Sequence, residues 1–347
     1  MATRREADTQ LDLFGAGEPR PASSEASSPR LGPVGPSAVP PALAAIAADV
    51  PPTVRLGTSS WAFPGWAGIV YDRPASPTRL ARDGLAAYAR HPLLRAVGID
   101  RTYYAPISAA AFAAYAAVVP DNFRFLVKAH ELCTIARFPR HARYAAHAGE
   151  HNVLCLDAAY ATDEVVGPFM EGLRDHAGPL LFQFPPQDVV ALGGPSRFAE
   201  RVHTFLRALP RGPLYAVELR NRELLTDAYV AALADVGACH CLNAHPSMPP
   251  VRAQADWLGP PEPRALVIRW MLASGYAYEA AKAHYQPFDR LVDEDAVTHD
   301  AIADLCLAAA AAARPAFVII NNKAEGSAPL SAFRLAERIA RVCRPAA

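Results

Sequence analysis

The sequence predicts an α/β fold, a (β/α)8 TIM-type barrel preceded by a disordered N-terminal arm. Eight short apolar segments alternate with helical patterns, and nearly every apolar segment ends in polar or charged residues. Strands that alternate with helices are typical of a parallel sheet, and eight such units are the number that closes a barrel. An open doubly wound sheet is the competing fold, but no G-x-G-x-x-G turn follows any of the predicted strands.

The first predicted strand, Val54–Thr58, shows the plan that the others repeat. Apolar and polar residues alternate along it, Gly57 permits a close backbone approach, and a loop with hydroxyl groups and indoles follows. The other strands are predicted at 97–104, 123–127, 180–184, 215–220, 239–243, 265–269 and 316–320. Helical patterns between them cover 80–90, 108–118, 197–209, 228–236, 296–313 and 330–342.

Polar residues concentrate where the predicted strands end. In a barrel these carboxyl ends form the functional face. Tryptophan and tyrosine rings there offer stacking surfaces, and the amide and basic groups offer polar contacts. The predicted ligand-binding residues are Ser60, Trp61, Trp66, Tyr103, Tyr104, Lys128, Gln183, Arg220, Asn243, Arg269, Asn321, Asn322, Lys323 and Ser327.

The predicted barrel mouth is cationic although the chain has 34 basic and 34 acidic residues. Lys128, Arg220, Arg269 and Lys323 all follow strands, whereas the zero net charge provides no global field for nucleic acid or membranes. Residues 321–329 also predict a helix N-terminus after strand eight, the usual phosphate position in such barrels. We therefore expect an anionic, phosphate-bearing ligand, with an ordinary capped loop as the alternative for 321–329.

Glu218, His130 and His245 are the predicted catalytic residues. A carboxylate beside cations can act as a base, although a salt bridge that only shapes the pocket is the alternative. Each histidine can transfer a proton or simply form a loop hydrogen bond. No close-spaced ligand motif supports a metal site, so we expect no tightly bound structural metal. A catalytic divalent ion stays possible, and the sequence does not indicate which cofactor, if any, the protein uses.

Two long connections are expected to cover the mouth. Residues 129–178 hold basic residues and histidines among aromatic residues, which suggests a phosphate-contacting lid, with a solvated helical loop as the alternative. Its residues of interest are Arg137, Phe138, Arg140, His141, Arg143, Tyr144, His147 and His151. A second lid, 271–295, holds Tyr276, Tyr278, Lys282, His284, Tyr285 and Arg290.

Residues 1–52 are predicted to be a disordered arm, since they are rich in Pro, Ser, Gly and Ala, and residues 53–345 to be the barrel domain. Within the arm, Gln10, Leu11, Asp12, Leu13 and Phe14 resemble the pentapeptide with which bacterial proteins bind the DNA polymerase sliding clamp. Leu13 and Phe14 would fill an apolar groove, as in other peptide-in-groove complexes. Six cysteines without a C-x-x-C pair, and no apolar segment that would span a bilayer, lead us to expect a soluble, cytoplasmic protein.

Five separated motifs point to one family. They are Gly-Thr-Ser-Ser-Trp with Pro-Gly-Trp in 57–66, Phe-Arg-Phe-Leu-Val-Lys at 123–128, Phe-Gln-Phe-Pro-Pro at 182–186, Val-Glu-Leu-Arg at 217–220 and Asn-Asn at 321–322. In this order they resemble the YecE-like family, domain of unknown function 72, over about residues 54–342. The resemblance implies a TIM barrel and a site at its mouth, but no reaction.

Three functions stay open at this point. The first is an enzyme with hydrolase-like, nuclease-like or isomerase-like chemistry on a phosphate-bearing substrate, including nucleic acid in replication or repair. The second is a non-catalytic adaptor that the sliding clamp recruits. The third is an enzyme acting on a small sugar or phosphorylated metabolite, because fold alone does not decide function.

Overall fold

Eight parallel strands form a closed barrel in the computed structural model, which describes residues 32–144, 146–259 and 263–343. Each strand pairs with the next in sequence, and β1 pairs with β8 through Val54–Ala316 to Thr58–Ile320 to close the ring. The strands are β1 (Val54–Thr58), β2 (Leu94–Ile99), β3 (Arg124–Lys128), β4 (Ala177–Phe184), β5 (Leu214–Leu219), β6 (Cys239–Ala244), β7 (Leu266–Trp270) and β8 (Ala316–Ile320). The predicted fold class is confirmed.

Helices surround this barrel. They are α1 (Pro41–Asp49), α2 (Pro77–Asp83), α3 (Leu85–Tyr88), α4 (Ala109–Ala116), α5 (Ala158–Ala161), α6 (Gly167–Leu173), α7 (Gly194–Ala208), α8 (Asp227–Val236), α9 (Val251–Leu258), α10 (Tyr278–Tyr285), α11 (Ala296–Ala311) and α12 (Ala328–Cys343). None of the helices in the described ranges could span a membrane. All six cysteines are free thiols.

Strand β2 ends earlier than the sequence predicted. The expected strand 97–104 runs only to Ile99, and Arg101–Tyr103 forms a 3-10 turn. The hydroxyl of Thr102 stabilises the turn, because its oxygen lies within hydrogen-bond distance of the carbonyl oxygens of Ile99, at 2.9 Å, and of Lys128, at 2.6 Å. Tyr103 therefore lies above the barrel end and not in its wall.

The last part of the predicted arm is folded. Helix α1 begins at Pro41, a residue favoured at the first helical position, and buries Ala47 against the barrel. Arg95, near the start of β2, donates to the carbonyl of Ala47 at 2.6 Å and to those of Val50 and Pro51 at 3.3 Å. Folded structure is thus present before the predicted boundary at residue 53, and the clamp-like pentapeptide, 10–14, lies outside the described residues.

The core has two layers because successive strand residues face opposite sides. One layer, between the strands and the helices, contains residues such as Val54, Leu56 and Phe182. The other fills the barrel, with Ala96, Leu126, Leu181, Ala216, Cys239, Cys241, Ala265, Val267, Phe317 and Ile319. This inner layer forms the floor beneath the functional face.

Candidate functional site

Charged side chains replace apolar ones at the next inward-facing position along three strands. Leu126, Ala216 and Val267 belong to the apolar inner layer, and two residues further on stand Lys128, Glu218 and Arg269. Because the period of a strand is two, these three side chains also face the barrel axis. Lys128 and Arg269 are 1% exposed and Glu218 is 0% exposed, so the site is a charged layer inside the barrel end.

Arg269 holds this layer together. Its Nη1 donates to Glu218 Oε2 at 2.7 Å, and its Nη2 donates to Asp100 Oδ1 at 3.2 Å and Oδ2 at 3.1 Å. Arg220 Nη2 lies 2.5 Å from Glu218 Oε1 as an ion pair that lacks hydrogen-bond alignment. One carboxylate therefore lies between two guanidinium groups, and Asp100 joins β2 to β7.

The charges decide the ionisation of Glu218. Burial alone would raise the pKa of its carboxyl group, but Arg220, Arg269 and, more weakly, Lys128 outweigh burial and lower the pKa to about 2. Burial acts to lower the pKa of Arg269, but the carboxylates of Glu218 and Asp100 outweigh burial and raise this pKa above its ordinary value. The Glu218–Arg269 pair is consequently a fixed pair of charges across the neutral pH range.

Lys128 has a different environment from the two arginines. Its Nζ lies 3.6 Å from the ring centroid of Tyr103, a cation–π contact, and forms no hydrogen bond or ion pair with a described residue. Burial lowers the pKa of its amine to about 7, against the opposing effect of the nearby Asp100 carboxylate. At neutral pH this amine therefore exists in both protonation states.

A cavity of about 380 Å³ opens above the charged layer. Seven predicted site residues line it: Tyr103, Tyr104, Lys128, Gln183, Arg220, His245 and Arg269. The first lid contributes Arg137, Phe138, His141, Arg143 and Tyr144, and Tyr278 comes from the second. Glu218 lies behind Arg220 and Arg269 and is not part of the lining.

His245 is the only predicted catalytic histidine that the cavity lining includes. Its Nδ1 accepts the backbone N–H of Ser247 at 3.1 Å, so in the neutral ring Nε2 carries the proton. Burial lowers the pKa of His245 to about 3. His130 instead forms a 2.5 Å hydrogen bond with the hydroxyl of Tyr160, and burial lowers its pKa to about 4.

The structure places the residues after β1 in packing contacts. Trp66 is fully buried against Phe63, and Trp61 packs on Tyr115 while its Nε1 donates to the Ala81 carbonyl at 3.3 Å. Ser60 hydroxyl accepts the N–H of Ala62. Asn243 is also buried, and its Nδ2 donates to the Leu219 carbonyl at 3.0 Å. None of these four predicted ligand-binding residues lines the cavity.

The loop after β8 is buried beneath the second lid. Lys323 Nζ lies 4.1 Å from the ring centroid of Tyr278, and Asn321 Nδ2 donates to Ser59 Oγ at 2.9 Å. Asn322 Oδ1 accepts the N–H of Ala328 at 2.8 Å and so caps α12. Together with the buried Ser327, these residues lie outside the cavity lining, and the end of α12 is already occupied by a protein group.

Residues 55–346 match the family model described as protein of unknown function DUF72. The chain belongs to this family. The barrel is similar to the crystal structure of a DUF72 family protein from Enterococcus faecalis V583, with 17% identity, a TM-score of 0.50, and coverage of 82% of this chain and 95% of that one. It is also similar to the crystal structure of a DUF72 family protein from Thermotoga maritima MSB8, with 16% identity, a TM-score of 0.53, and coverage of 82% of this chain and 98% of that one. At these identities the similarity shows the fold alone, and no curated protein matches the chain.

Two acidic residues that line the cavity of this DUF72 site, Glu131 and Asp188, were not predicted from the sequence. Glu131 pairs with the guanidinium of Arg143 and accepts the hydroxyl of Tyr144 at 2.6 Å. The Arg143 guanidinium also stacks on Tyr104 at 4.9 Å and on Tyr144 at 4.7 Å. Glu131 comes three residues after β3, a position that could have indicated it. In the first lid, Arg140, His147 and His151 lie outside the cavity lining.

The DUF72 barrel shows no metal-ligand cluster within the described ranges, since no three His, Cys, Asp or Glu side chains are placed to hold an ion. Asp100 and Glu218, the two carboxylates of the charged layer, are both bound to Arg269. The second lid is packed against the loop after β1, where Phe288 contacts Phe63 at a centroid distance of 5.7 Å. The site is thus a cationic, aromatic-walled cavity under two ordered connections.

Proposed function

We propose that this DUF72 protein binds a small phosphate-bearing ligand in the cavity and turns it over by proton transfer. The observation that carries the proposal is the pair of cations at the floor, Lys128 and Arg220, whose polar groups are only partly satisfied by the protein. Within the described chain, Lys128 makes no ion pair, and Arg220 has a single misaligned contact with Glu218.

The charge count of the floor supports an anion. Three cations, Lys128, Arg220 and Arg269, face two carboxylates, Glu218 and Asp100, which leaves one positive charge when Lys128 is protonated. At an effective dielectric constant of about 20, a unit charge about 4 Å from the phosphate contributes roughly 4 kcal/mol before desolvation is subtracted. That attraction is large enough for one residue to control binding.

The cavity size supports a small ligand over a duplex. A volume of about 380 Å³ lies at the low end of ligand pockets in general, which hold sugar-sized and drug-sized molecules. The rings of Tyr104, Tyr144 and Tyr278 would cover the apolar part of such a ligand. A nucleic acid would place at most a terminal or unpaired nucleotide in this space.

Proton transfer is assigned to Lys128 and His245. Both line the cavity, and because burial lowers the pKa of each, both side chains are available in the neutral form near pH 7. Glu218, expected from the sequence to be the base, has both oxygens beside guanidinium groups and is assigned the positioning of Arg220 and Arg269. This assignment favours hydrolase-like or isomerase-like chemistry on a small phosphorylated substrate.

Isothermal titration calorimetry with glycerol 3-phosphate and with glycerol tests the proposal. Binding of the phosphate ester alone, weakened at least tenfold by Arg220→Gln, is the expected result. Arg222→Gln is the matched control, because Arg222 is exposed two residues further on and lies outside the lining. Equal responses to both ligands, or an Arg220→Gln protein that binds normally, would show that the cavity does not recognise phosphate.

The alternative function is a cytoplasmic adaptor that carries the barrel to the sliding clamp. The pentapeptide 10–14 favours it, and the six free thiols agree with a cytosolic location, where reduced cysteines are usual. An adaptor would bind the clamp and leave the cavity without a turnover function. A DUF72 barrel that binds glycerol 3-phosphate as well as the clamp would combine both functions.

A further inference from the structure

We propose that Lys128 is a nucleophile that forms an imine with the carbonyl carbon of a small phosphorylated aldehyde or ketone. The inference rests on the proposed phosphate site, since Arg220 would hold the phosphate while the carbonyl group meets the Lys128 amine. It names a substrate class and a covalent step that proton transfer alone does not require.

The position of Lys128 meets the requirements of an imine-forming lysine. Its side chain rises from the last residue of β3, is 1% exposed and lines the cavity. A buried carboxylate usually holds a structural lysine as an ion pair, yet Glu218 and Asp100 both bind Arg269 and no ion pair of Lys128 occurs in the described ranges. The amine therefore contacts the Tyr103 ring but is not bound to a carboxylate, which leaves its nitrogen available to react.

The protonation state agrees with this geometry. Burial lowers the pKa of Lys128 to about 7, so a substantial fraction of the amine is neutral at pH 7. A lysine with an ordinary pKa near 10.4 has roughly a thousandfold less neutral amine at that pH. Desolvation in an apolar pocket beside other cations is a recognised way to activate a lysine for imine formation.

The choice of lysine is itself informative in this chain. Of 34 basic residues, only Lys128, Lys282 and Lys323 are lysines, and all others are arginines. If position 128 needed only a positive charge, arginine, the usual basic residue here, would supply it without the loss of charge that burial causes in lysine. Lys323 is also buried but lies under Tyr278 and outside the cavity lining.

The step balances without any further reactant. The Nζ lone pair attacks the carbonyl carbon, a C–N bond forms, and the carbonyl oxygen takes a proton to give a carbinolamine. Loss of that oxygen as water, with the two protons that leave the amine, gives a neutral C=N bond. The Nε2–H of His245, which lines the same cavity, can donate a hydrogen bond to the departing oxygen.

Reductive trapping tests the inference on the full chain. The protein is incubated with dihydroxyacetone phosphate or dihydroxyacetone and sodium cyanoborohydride, and digestion with mass spectrometry locates each adduct. One adduct on Lys128 is expected, formed at least tenfold faster with the phosphorylated ketone and half-maximal near pH 7. Lys128→Arg should abolish it, while Lys282→Arg, a change on α10 outside the lining, should not.

Adducts spread evenly over the three lysines and the N-terminal amine would overturn the inference, as would equal rates for the two ketones. Because the adduct is mapped in the wild-type chain, the test holds even if Lys128→Arg does not fold. Calorimetry with glycerol 3-phosphate, which has no carbonyl group, separates the two proposals. Binding without a Lys128 adduct refutes only the imine, whereas absence of both refutes the phosphate site as well.

Discussion

Replacing Glu218 by glutamine would remove the charge that holds two arginines in the barrel. The pKa of Glu218 falls from an ordinary 4.5 to about 2 in the folded protein. That difference corresponds to about 3 kcal/mol of stability at neutral pH, in agreement with the roughly 3–5 kcal/mol typical of a broken buried ion pair. Because the folded pKa is depressed, this contribution is complete above pH 4.5 and is lost as pH falls through about 2.

Differential scanning calorimetry would measure the effect. At pH 7 we expect Glu218→Gln to lower the melting temperature by roughly 6–12 °C, with a smaller difference from wild type as the pH drops below 4.5. The control is Glu223→Gln, since Glu223 is exposed after β5 and should change the melting temperature by less than about 2 °C. A Glu218→Gln shift as small as the control, or one independent of pH, would refute the coupled charge layer.

Three further predictions concern separate parts of the molecule. Affinity of the wild-type protein for glycerol 3-phosphate should fall roughly tenfold more between pH 6 and pH 9 than that of Lys128→Arg, because Lys128 loses its proton and arginine does not. Identical calorimetric pH profiles for the two proteins would contradict this. Gly57→Ala should destabilise the barrel by about 1–3 kcal/mol in urea unfolding, because its Cβ would lie 2.0 Å from the Ala96 carbonyl oxygen; an unchanged midpoint would contradict it. Full-length protein should bind a bacterial sliding clamp with micromolar affinity, and Leu13→Ala with Phe14→Ala should abolish this; binding indifferent to both changes would exclude the motif.

The alternating pattern of the sequence was sufficient to predict the barrel. Strands β1 and β8 have the predicted bounds, and the other six overlap their predicted segments. The end of β2 could not be predicted from alternation, because a side-chain hydrogen bond of Thr102 to β3 ends the strand. Helix α1 was missed because it lies in a stretch rich in Pro, Ser, Gly and Ala, and its position depends on distant contacts: Leu43 and Ile46 pack against the core, and Arg95 donates to the Ala47 carbonyl.

The sequence predicted one set of site residues at the strand ends, but only some of them line the cavity. Residues at inward-facing positions, such as Lys128 and Arg269, follow from the period of the strands. Whether a loop residue faces the cavity depends on how the chain turns after the strand, so Trp66 and Lys323 could not be distinguished from Tyr103 in advance. The pairing of Asp100 with Arg269 joins residues 169 positions apart, and no local pattern encodes it.

A crystal structure of the protein with glycerol 3-phosphate tests the central claim most directly. We predict a phosphate group in the 380 Å³ cavity, with its oxygens within hydrogen-bond distance of Arg220 and Lys128, and Glu218 still bound to Arg269. A ligand bound elsewhere, or a cavity that stays empty at saturating concentration, would contradict the assignment of this DUF72 site to a phosphate-bearing ligand.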